Sequence, residues 1–408
     1  MSNAVSASKV PPAPDLLYSD TELALAGALD DLLSQRCGPA AVLARTEQPE
    51  AYDVALWKAL ATEIGLAGLL IPEELGGAGA SGRELASAAE RLGAHLAPVP
   101  YLGSAAVATA TALAAAKSAT RPGGGHSAGQ QAAGIAADLL RRLADGTVTA
   151  AVAVTASAMP ADKFPAAVQL SGPQPGDAAA GIVRLRGRID SVPDALPADV
   201  LLVPAEGVPN GLYLVEATGP GVHRVPVTSL DMTRQLCDVS LDGGPARQIA
   251  VGASAAAALE AGLVTGAVVL AAELLGLAQR CLDMTVAYGK ERHQFARQVG
   301  SFQAVKHRLA DLWATITQAR AASRYAAACL ASGDPDIAVA VALAKSACSD
   351  AAVTAAQECV QLHGGIGFTW EHPAHLYLKR AKASSVTFGT PGAHRAALAG
   401  LVNLPAPA

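Results

Sequence analysis

The sequence contains few aromatic residues, few charged residues and no run of charges of one sign. Of its 408 residues, 4% are aromatic and 16% are charged, and the formal net charge is −5. An all-β fold draws heavily on aromatic and β-branched residues, so their scarcity argues against one. Nucleic-acid-binding proteins usually carry a basic stripe, and none is visible. We therefore expect a helix-rich protein that does not bind nucleic acid.

Paired cysteines and metal-ligand motifs are also missing. The six cysteines show no CxxC spacing, which excludes a zinc or disulfide framework. The paired Glu-x-x-His motif of a di-iron bundle is absent as well. We expect no metal site, and we interpret the thiols as small core residues of a reduced, cytoplasmic protein.

A membrane span and a signal peptide are not expected either. The most apolar stretch, Gly262–Leu277, contains Glu273 and is shorter than the roughly 20 apolar residues that a membrane helix needs. We predict that it is a buried core helix. The first residues lack a basic region followed by an apolar core.

The chain divides into three parts of different texture. Residues 1–148 and 248–408 are rich in Ala and Leu at helical spacing, whereas residues 149–247 hold short β-type runs separated by Pro, Gly, Asp and Ser. In the last part, apolar residues recur three and four positions apart, as in packed bundles. This predicts an α+β protein with an N-terminal helical domain, a middle antiparallel β domain and a C-terminal four-helix bundle.

Three stretches carry the most specific patterns. Tyr288–His307 contains ERHQFARQVGSFQ, Gln361–Pro373 contains QLHGGIGF, and Gly68–Gly77 reads GLLIPEELGG. Together they closely resemble the acyl-CoA dehydrogenase family, and the helix–β–helix order agrees. The resemblance covers nearly the whole chain.

The resemblance implies an enzyme that dehydrogenates an acyl-CoA thioester. In the family, a carboxylate removes the α-proton, which is acidified by hydrogen bonds to the thioester carbonyl. FAD accepts a hydride from the β-carbon. It is held across a dimer, with its ADP arm reaching into the neighbouring subunit. The implied electron acceptor is an electron-transfer flavoprotein.

Six residues match family positions that bind the ADP arm of a neighbour's FAD. Arg292 matches the pyrophosphate contact, where a guanidinium suits phosphate. Phe295 and Gln303 match adenine-side and ribose-side positions. The rest match a segment where the backbone passes close to the cofactor, which glycine permits; they are Gln361, Gly364 and Gly365.

The catalytic carboxylate of the family is missing. The position usually held by the catalytic glutamate is Phe388, and the alternative position on an earlier helix is Gly266. We therefore predict no catalytic base in this chain at either position. Glu260, Glu273 and Glu371 remain as candidates, and we interpret Glu273 as a paired core glutamate.

Other features of a self-contained active site are also lost. In the flavin-binding loop only Thr155 and Asp162 keep the family spacing, and no tryptophan lies within residues 149–247 to cover a flavin. The set offered to a neighbour's FAD shows one departure, Ala296, where the family usually has Gly. The features offered to a neighbour's FAD are kept, whereas those of the subunit's own active site are lost.

This pattern resembles the base-less subunit of heteromeric α2β2 acyl-CoA dehydrogenases of actinobacteria. We expect a homologous partner subunit to supply the glutamate, with two FAD per tetramer. The acyl group is not evident from the sequence, and a steroid side-chain CoA is an extrapolation from such relatives.

Three alternatives remain open at this point. The chain could be a self-sufficient homotetramer with an unexpected base such as Glu273, or a non-catalytic structural relative without FAD. A thioesterase using the GxSxG run at Gly125–Gly129 is disfavoured because no strand precedes it.

Overall fold

A computed structural model describes the fold at residues 14–48, 52–118, 126–165, 167–172, 174–177 and 181–405. In this part of the chain, the N-terminal region is helical. Its helices are α1 (Asp20–Arg36), α2 (Pro39–Thr46), α3 (Val54–Glu63), α4 (Gly82–Ala94), α5 (Thr109–Ser118) and α6 (His126–Ala144), and a π-helical segment, Tyr101–Ala108, precedes α5.

Local sequence fixes two of the N-terminal helix starts. At α1, the hydroxyl of Ser19 accepts the backbone N–H of Glu22, and the carboxylate of Glu22 accepts the N–H of Ser19. Ser81 and Glu84 form the same capping box at α4. Each box satisfies backbone donors that have no partner within the helix.

The middle region forms a seven-stranded sheet in the order β1-β4-β5-β7-β3-β2, with β6 also paired to β7. The pairs are antiparallel except β1 with β4, which are parallel. The strands are β1 (Ala150–Val152), β2 (Val168–Ser171), β3 (Ile182–Pro193), β4 (Val200–Ala205), β5 (Gly211–Glu216), β6 (Val222–Val227) and β7 (Leu236–Val251).

The C-terminal helices pack on one another and on the N-terminal helices. The longest, α7 (Ala253–Glu291), lies against α4 and runs through the centre of the main hydrophobic core. A small hairpin of β8 (His293–Gln294) and β9 (Arg297–Gln298) follows it. The remaining helices are α8 (Gln303–Ser332), α9 (Ile337–Leu362), α10 (Ala374–Val386) and α11 (Pro391–Leu401).

Two described helices, α7 and α9, are long and apolar enough to pass a length-and-composition test for a membrane span. The apolar window of α7 is 89% buried inside the fold. Burial of this kind is typical of a core helix, as predicted for Gly262–Leu277. All six cysteines are free and buried, which agrees with their interpretation as core residues.

The sequence patterns predicted the helix–β–helix order and missed some elements within it. Helices α2 and α6 and strands β2 and β6 were not predicted, and the parallel pairing of β1 with β4 departs from the antiparallel domain expected. Because β7 extends to Val251 and α7 begins at Ala253, we place the last boundary at Gly252 rather than after residue 247. Gly125 of the GxSxG run lies outside the described residues, and the next residue begins α6.

Gly276 allows α7 to approach α4 closely. A Cβ at Gly276 would overlap the backbone carbonyl of Glu90 in α4. We predict that Gly276→Ala lowers the thermal unfolding midpoint, because overpacking costs about 1–3 kcal/mol or more. Gly134→Ala in α6 is the matched control: nothing lies within 4 Å of its Cβ, so helix propensity should raise the midpoint. Equal shifts for both variants would contradict close packing at Gly276.

Candidate functional site

The two family positions for a catalytic base lie at one place in the structure. Gly266 is in α7, and Phe388 is in the turn between α10 and α11. A Cβ at Gly266 would lie 2.8 Å from Cε2 of Phe388, so the ring fills the space above the glycine. Phe388 is only 2% exposed. Neither position provides a carboxylate, and the phenyl ring occupies the room that one would need.

The turn that carries Phe388 is held from several sides. Its N–H donates to the carbonyl of Ala156 at 2.8 Å, and its carbonyl accepts from Nε2 of His394 at 2.8 Å. The Nζ of Lys345 donates to the carbonyl of Gly389 at 3.3 Å. Phe388 has a φ of +55°, a left-handed conformation that costs a bulky residue about 1–3 kcal/mol. These bonds hold the strained turn in place.

Lys345 itself is fully buried. Its ammonium also donates to Ser349 and to the carbonyls of Ser384 and Ser385 at the end of α10. Burial lowers the pKa of Lys345 to about 7, against the opposing effect of nearby acidic groups. Sequence reasoning missed this residue, because a lysine in a helix usually lies on the exposed face.

The turn adjoins the remnant of the flavin-binding loop. Ala156 belongs to the predicted segment Thr155–Asp162, where the carboxylate of Asp162 accepts the N–H of Met159. Beside this loop lies a cleft of about 450 Å³, lined mainly by apolar residues of α7, α9 and α11. The loop thus contacts the turn at Phe388 on one side and lines the cleft on the other.

Glu273 is part of a buried ion-pair cluster. Its carboxylate accepts from Arg234 at 2.5 Å and from Arg380 at 2.9 and 3.0 Å, and Arg380 also pairs with Asp231 at 3.1 Å. Burial alone would raise the pKa of Glu273, but the two guanidiniums outweigh it and hold the pKa at about 2. Such a carboxylate is a poor proton acceptor. The structure thus supports the interpretation of Glu273 as a paired core glutamate.

The other two candidate carboxylates differ in position. Glu371 is exposed. Glu260 lines the apolar cleft and accepts the N–H of Ala161 at 2.9 Å. Glu260 is therefore the carboxylate among the three that faces the cleft.

The six residues expected to contact the ADP arm are all exposed. Arg292 ends α7 and forms no ion pair with any residue that the structure describes. Phe295 is 88% exposed at the tip of the hairpin, and Gln303 begins α8. Gln361 lies at the end of α9. Gly364 and Gly365 begin the 3-10 turn Gly364–Phe368.

The hairpin tip explains the family preference for glycine at position 296. His293 pairs with Gln298 and Gln294 with Arg297, which leaves Phe295 and Ala296 as a two-residue loop. Both loop residues have positive φ, 51° and 61°. A turn of this kind needs φ > 0 at both positions and favours glycine at the second. Ala296 adopts the same conformation at a cost of about 1–2 kcal/mol.

The hairpin segment and the glycine segment meet through aromatic rings. Tyr288, one turn before Arg292, lies 4.5 Å from the ring of His363, which directly precedes Gly364. Gly364 has a φ of +62°, and no atom lies within 4 Å of a Cβ built on it or on Gly365. An exposed guanidinium, an exposed aromatic ring and open glycine backbone fit the diphosphate and adenine of an ADP arm.

Two family models match the sequence. The acyl-CoA dehydrogenase N-terminal domain matches residues 19–121, and the acyl-CoA dehydrogenase C-terminal domain matches residues 255–401. Residues 122–254, which contain the seven-stranded sheet, lie between the matched ranges. Both matched ranges are mainly helical.

Curated proteins and solved structures agree with these matches. Acyl-CoA dehydrogenase IpdE2 of Mycobacterium tuberculosis is 34% identical over 361 residues, 88% of this chain and 90% of that protein. The ChsE4-ChsE5 complex from Mycobacterium tuberculosis is similar with a TM-score of 0.79 and 27% identity, covering 96% of this chain and 100% of that one. A variant of the Tcur3481-Tcur3483 steroid ACAD has a TM-score of 0.77 and 30% identity, covering 94% and 98%.

We predict that Glu273→Gln destabilises the fold by about 3–5 kcal/mol at neutral pH, because two buried arginines lose their carboxylate. The folded pKa of Glu273, about 2, lies below its ordinary value of 4.5. Its contribution to stability is therefore complete above pH 4.5 and is lost as pH falls toward 2.

Urea titrations of the free energy of unfolding at several pH values measure both effects. Glu371→Gln is the control, since it changes an exposed carboxylate and should alter stability by less than about 0.5 kcal/mol. A Glu273→Gln variant as stable as the control would refute the structural role.

Proposed function

The chain belongs to the acyl-CoA dehydrogenase family, and we propose that it is the base-less subunit of a heteromeric, FAD-dependent member. In this proposal the substrate is an acyl-CoA thioester that is dehydrogenated between its α- and β-carbons. A homologous partner subunit supplies the catalytic glutamate and the flavin cradle. This chain contributes the surface that binds the ADP arm of the cofactor.

One observation carries the proposal: the ring of Phe388 fills the space above Gly266. One family position for the base is Phe388 itself, and its ring fills the space at the other, Gly266. A phenyl ring cannot accept a proton. Glu273 offers no substitute, because two arginines already hold its carboxylate. Glu260 faces the cleft but already accepts the N–H of Ala161 and matches neither family position. The proposal therefore assigns proton abstraction to a carboxylate of another chain.

The surface that keeps the family residues would let this chain contribute to cofactor binding. FAD supplies the hydride acceptor when it is bound. Arg292 would neutralise its pyrophosphate, and the open backbone at Gly364 and Gly365 would let the arm lie close to the chain. Phe295 and Gln303 would contact the adenine and the ribose, and Gln361 would line the same segment. The flavin half of the site does not fit as well, because the loop at residues 155–162 has lost its family residues.

The relatives support a two-component assembly. Two similar structures are pairs of proteins by name, ChsE4 with ChsE5 and Tcur3481 with Tcur3483, and the second is called a steroid ACAD. By extension we propose an α2β2 assembly and a bulky, steroid-like acyl group. Reoxidation by an electron-transfer flavoprotein follows from the family's chemistry.

We predict that the chain purified alone is colourless and that co-expression with a homologous subunit encoded beside it gives a yellow complex. The expected content is one FAD per pair of chains, because each site needs one surface from each subunit. Visible absorbance and protein quantitation measure it.

Arg292→Ala should reduce the FAD content of the complex, since the pyrophosphate loses a charge-assisted contact. Arg186→Ala, which changes an exposed arginine on the sheet, is the matched control. Stoichiometric FAD on the isolated chain would contradict a shared site. Absence of flavin from the complex would favour a structural role.

We further predict that Phe388→Glu does not create an active homomer, because a carboxylate alone does not restore the flavin cradle. In the complex, the same substitution should change kcat less than about twofold, since the turnover uses the partner's base. Dye reduction with a series of acyl-CoA thioesters measures both. Activity of the unmodified chain alone that is lost in Glu260→Gln would instead establish a self-sufficient enzyme.

A further inference from the structure

We propose that His363 is the positioning residue of the ADP-arm surface: its ring fixes the end of α7, the end of α9 and the Gly364–Phe368 turn relative to one another. The inference rests on the proposed function, because the cofactor arm is what this surface would hold. Its evidence lies in the contacts of one buried side chain.

The His363 ring contacts two other rings at tilted angles. Tyr288 of α7 lies 4.5 Å from it between ring centroids, with planes inclined by 31°, and His372 lies 4.2 Å away on the segment before α10. His363 is only 3% exposed. Since Arg292 follows Tyr288 by one turn and Gly364 follows His363 directly, the stack sets the spacing between the arginine and the glycines.

The same ring also caps a helix. Nδ1 of His363 donates to the backbone carbonyl of Cys359 at 2.6 Å, in the last turn of α9. The Gly364–Phe368 turn folds back closely, because a Cβ at Gly367 would lie 3.1 Å from Cβ of His363. The His363 ring is therefore held by two neighbouring rings and one hydrogen bond, and the Gly364–Phe368 turn packs against the Cβ of His363.

The charge of the His363 ring can also contribute to ligand binding. Hydrogen bonds from Cys281 and His363 lower the pKa of the Cys359 thiol, although burial opposes them. Burial would lower the pKa of His363, but the hydrogen bonds to Cys359 outweigh burial and raise that pKa overall. Burial lowers the pKa of His372. The thiol of Cys359 lies 3.7 Å from Nδ1 of His363. The thiol and the ring therefore each favour the charged form of the other.

The position of this ring suits an anionic ligand. The C-terminal end of a helix carries a partial negative charge, which disfavours a nearby pyrophosphate. Protonation of His363, which donates to the carbonyl of Cys359 in the last turn of α9, makes this end less negative. The groups that face the ring from the packed elements are Cys281 and Tyr288 of α7, Cys359 of α9 and His372 of the following segment.

The test compares three variants of the full chain in its complex with the homologous subunit. His363→Leu removes stack and charge, His363→Phe keeps the stack and removes the charge, and His223→Gln is an exposed control on β6. We expect the FAD dissociation constant to rise about tenfold in His363→Leu and less in His363→Phe.

The pH dependence separates positioning from simple packing. The ordinary pKa of His363 is 6.5 and its folded pKa is higher, so its charge is complete below 6.5 and is lost as pH rises through the folded value. Wild-type FAD affinity should therefore fall over that range, whereas His363→Phe should not show this component. A His363→Phe profile identical to wild type would overturn the role of the charge.

Hydrogen exchange provides a readout that needs no cofactor. In the FAD-free complex, amides of Gly364–Phe368 should exchange faster in His363→Leu than in wild type or His223→Gln. Unchanged exchange together with unchanged FAD affinity would overturn the inference while the proposed function stands. A wild-type complex that binds no FAD would overturn both.

Discussion

The ion-pair cluster around Glu273 is the interaction on which the arrangement of the candidate site depends. It joins three parts of the chain: Arg234 lies in the segment before β7, Glu273 in the middle of α7, and Arg380 in α10. A buried charge is tolerated only when its partners are in place, so the cluster allows little freedom in how α10 meets α7. The turn that follows α10 is therefore also fixed in position relative to α7. The cluster is therefore structural, although one of its members is a glutamate near the place where a base would be sought.

The turn that carries Phe388 is held in place by hydrogen bonds to its backbone, whatever side chain stands at position 388. The backbone of residue 388 is held by Ala156, His394 and, through Gly389, by Lys345, and none of these bonds uses the side chain at position 388. These backbone bonds do not by themselves require phenylalanine at this position. Loss of the carboxylate could thus occur without loss of the fold. Gly266 then leaves room for the ring, since a side chain there would collide with it.

Local patterns in the sequence identified the surface residues better than the interior of the site. ERHQFARQVGSFQ and QLHGGIGF are contiguous runs, so the resemblance to the family could be recognised from them directly. The contact of Phe388 with Gly266 joins residues more than a hundred positions apart, and no local period reports it. Strand β2 and the parallel pairing of β1 with β4 were missed for the same reason, because sheet pairing is set by tertiary contacts. His363 looked like an ordinary histidine until its two stacking neighbours were placed beside it.

The exposed aromatic residues argue most directly for a partner at this surface. The protein contains only 4% aromatic residues, yet Phe295, Phe368 and Trp370 are 88%, 74% and 61% exposed. Phe368 and Trp370 follow Gly364 and Gly365 within a few residues, and Phe295 follows Arg292. Large apolar side chains clustered at one surface are typical of an interface rather than of a free face. Under the proposed function, a cofactor arm and a second subunit would cover these same rings, and a chain whose own base position is filled by Phe388 would keep them for that purpose.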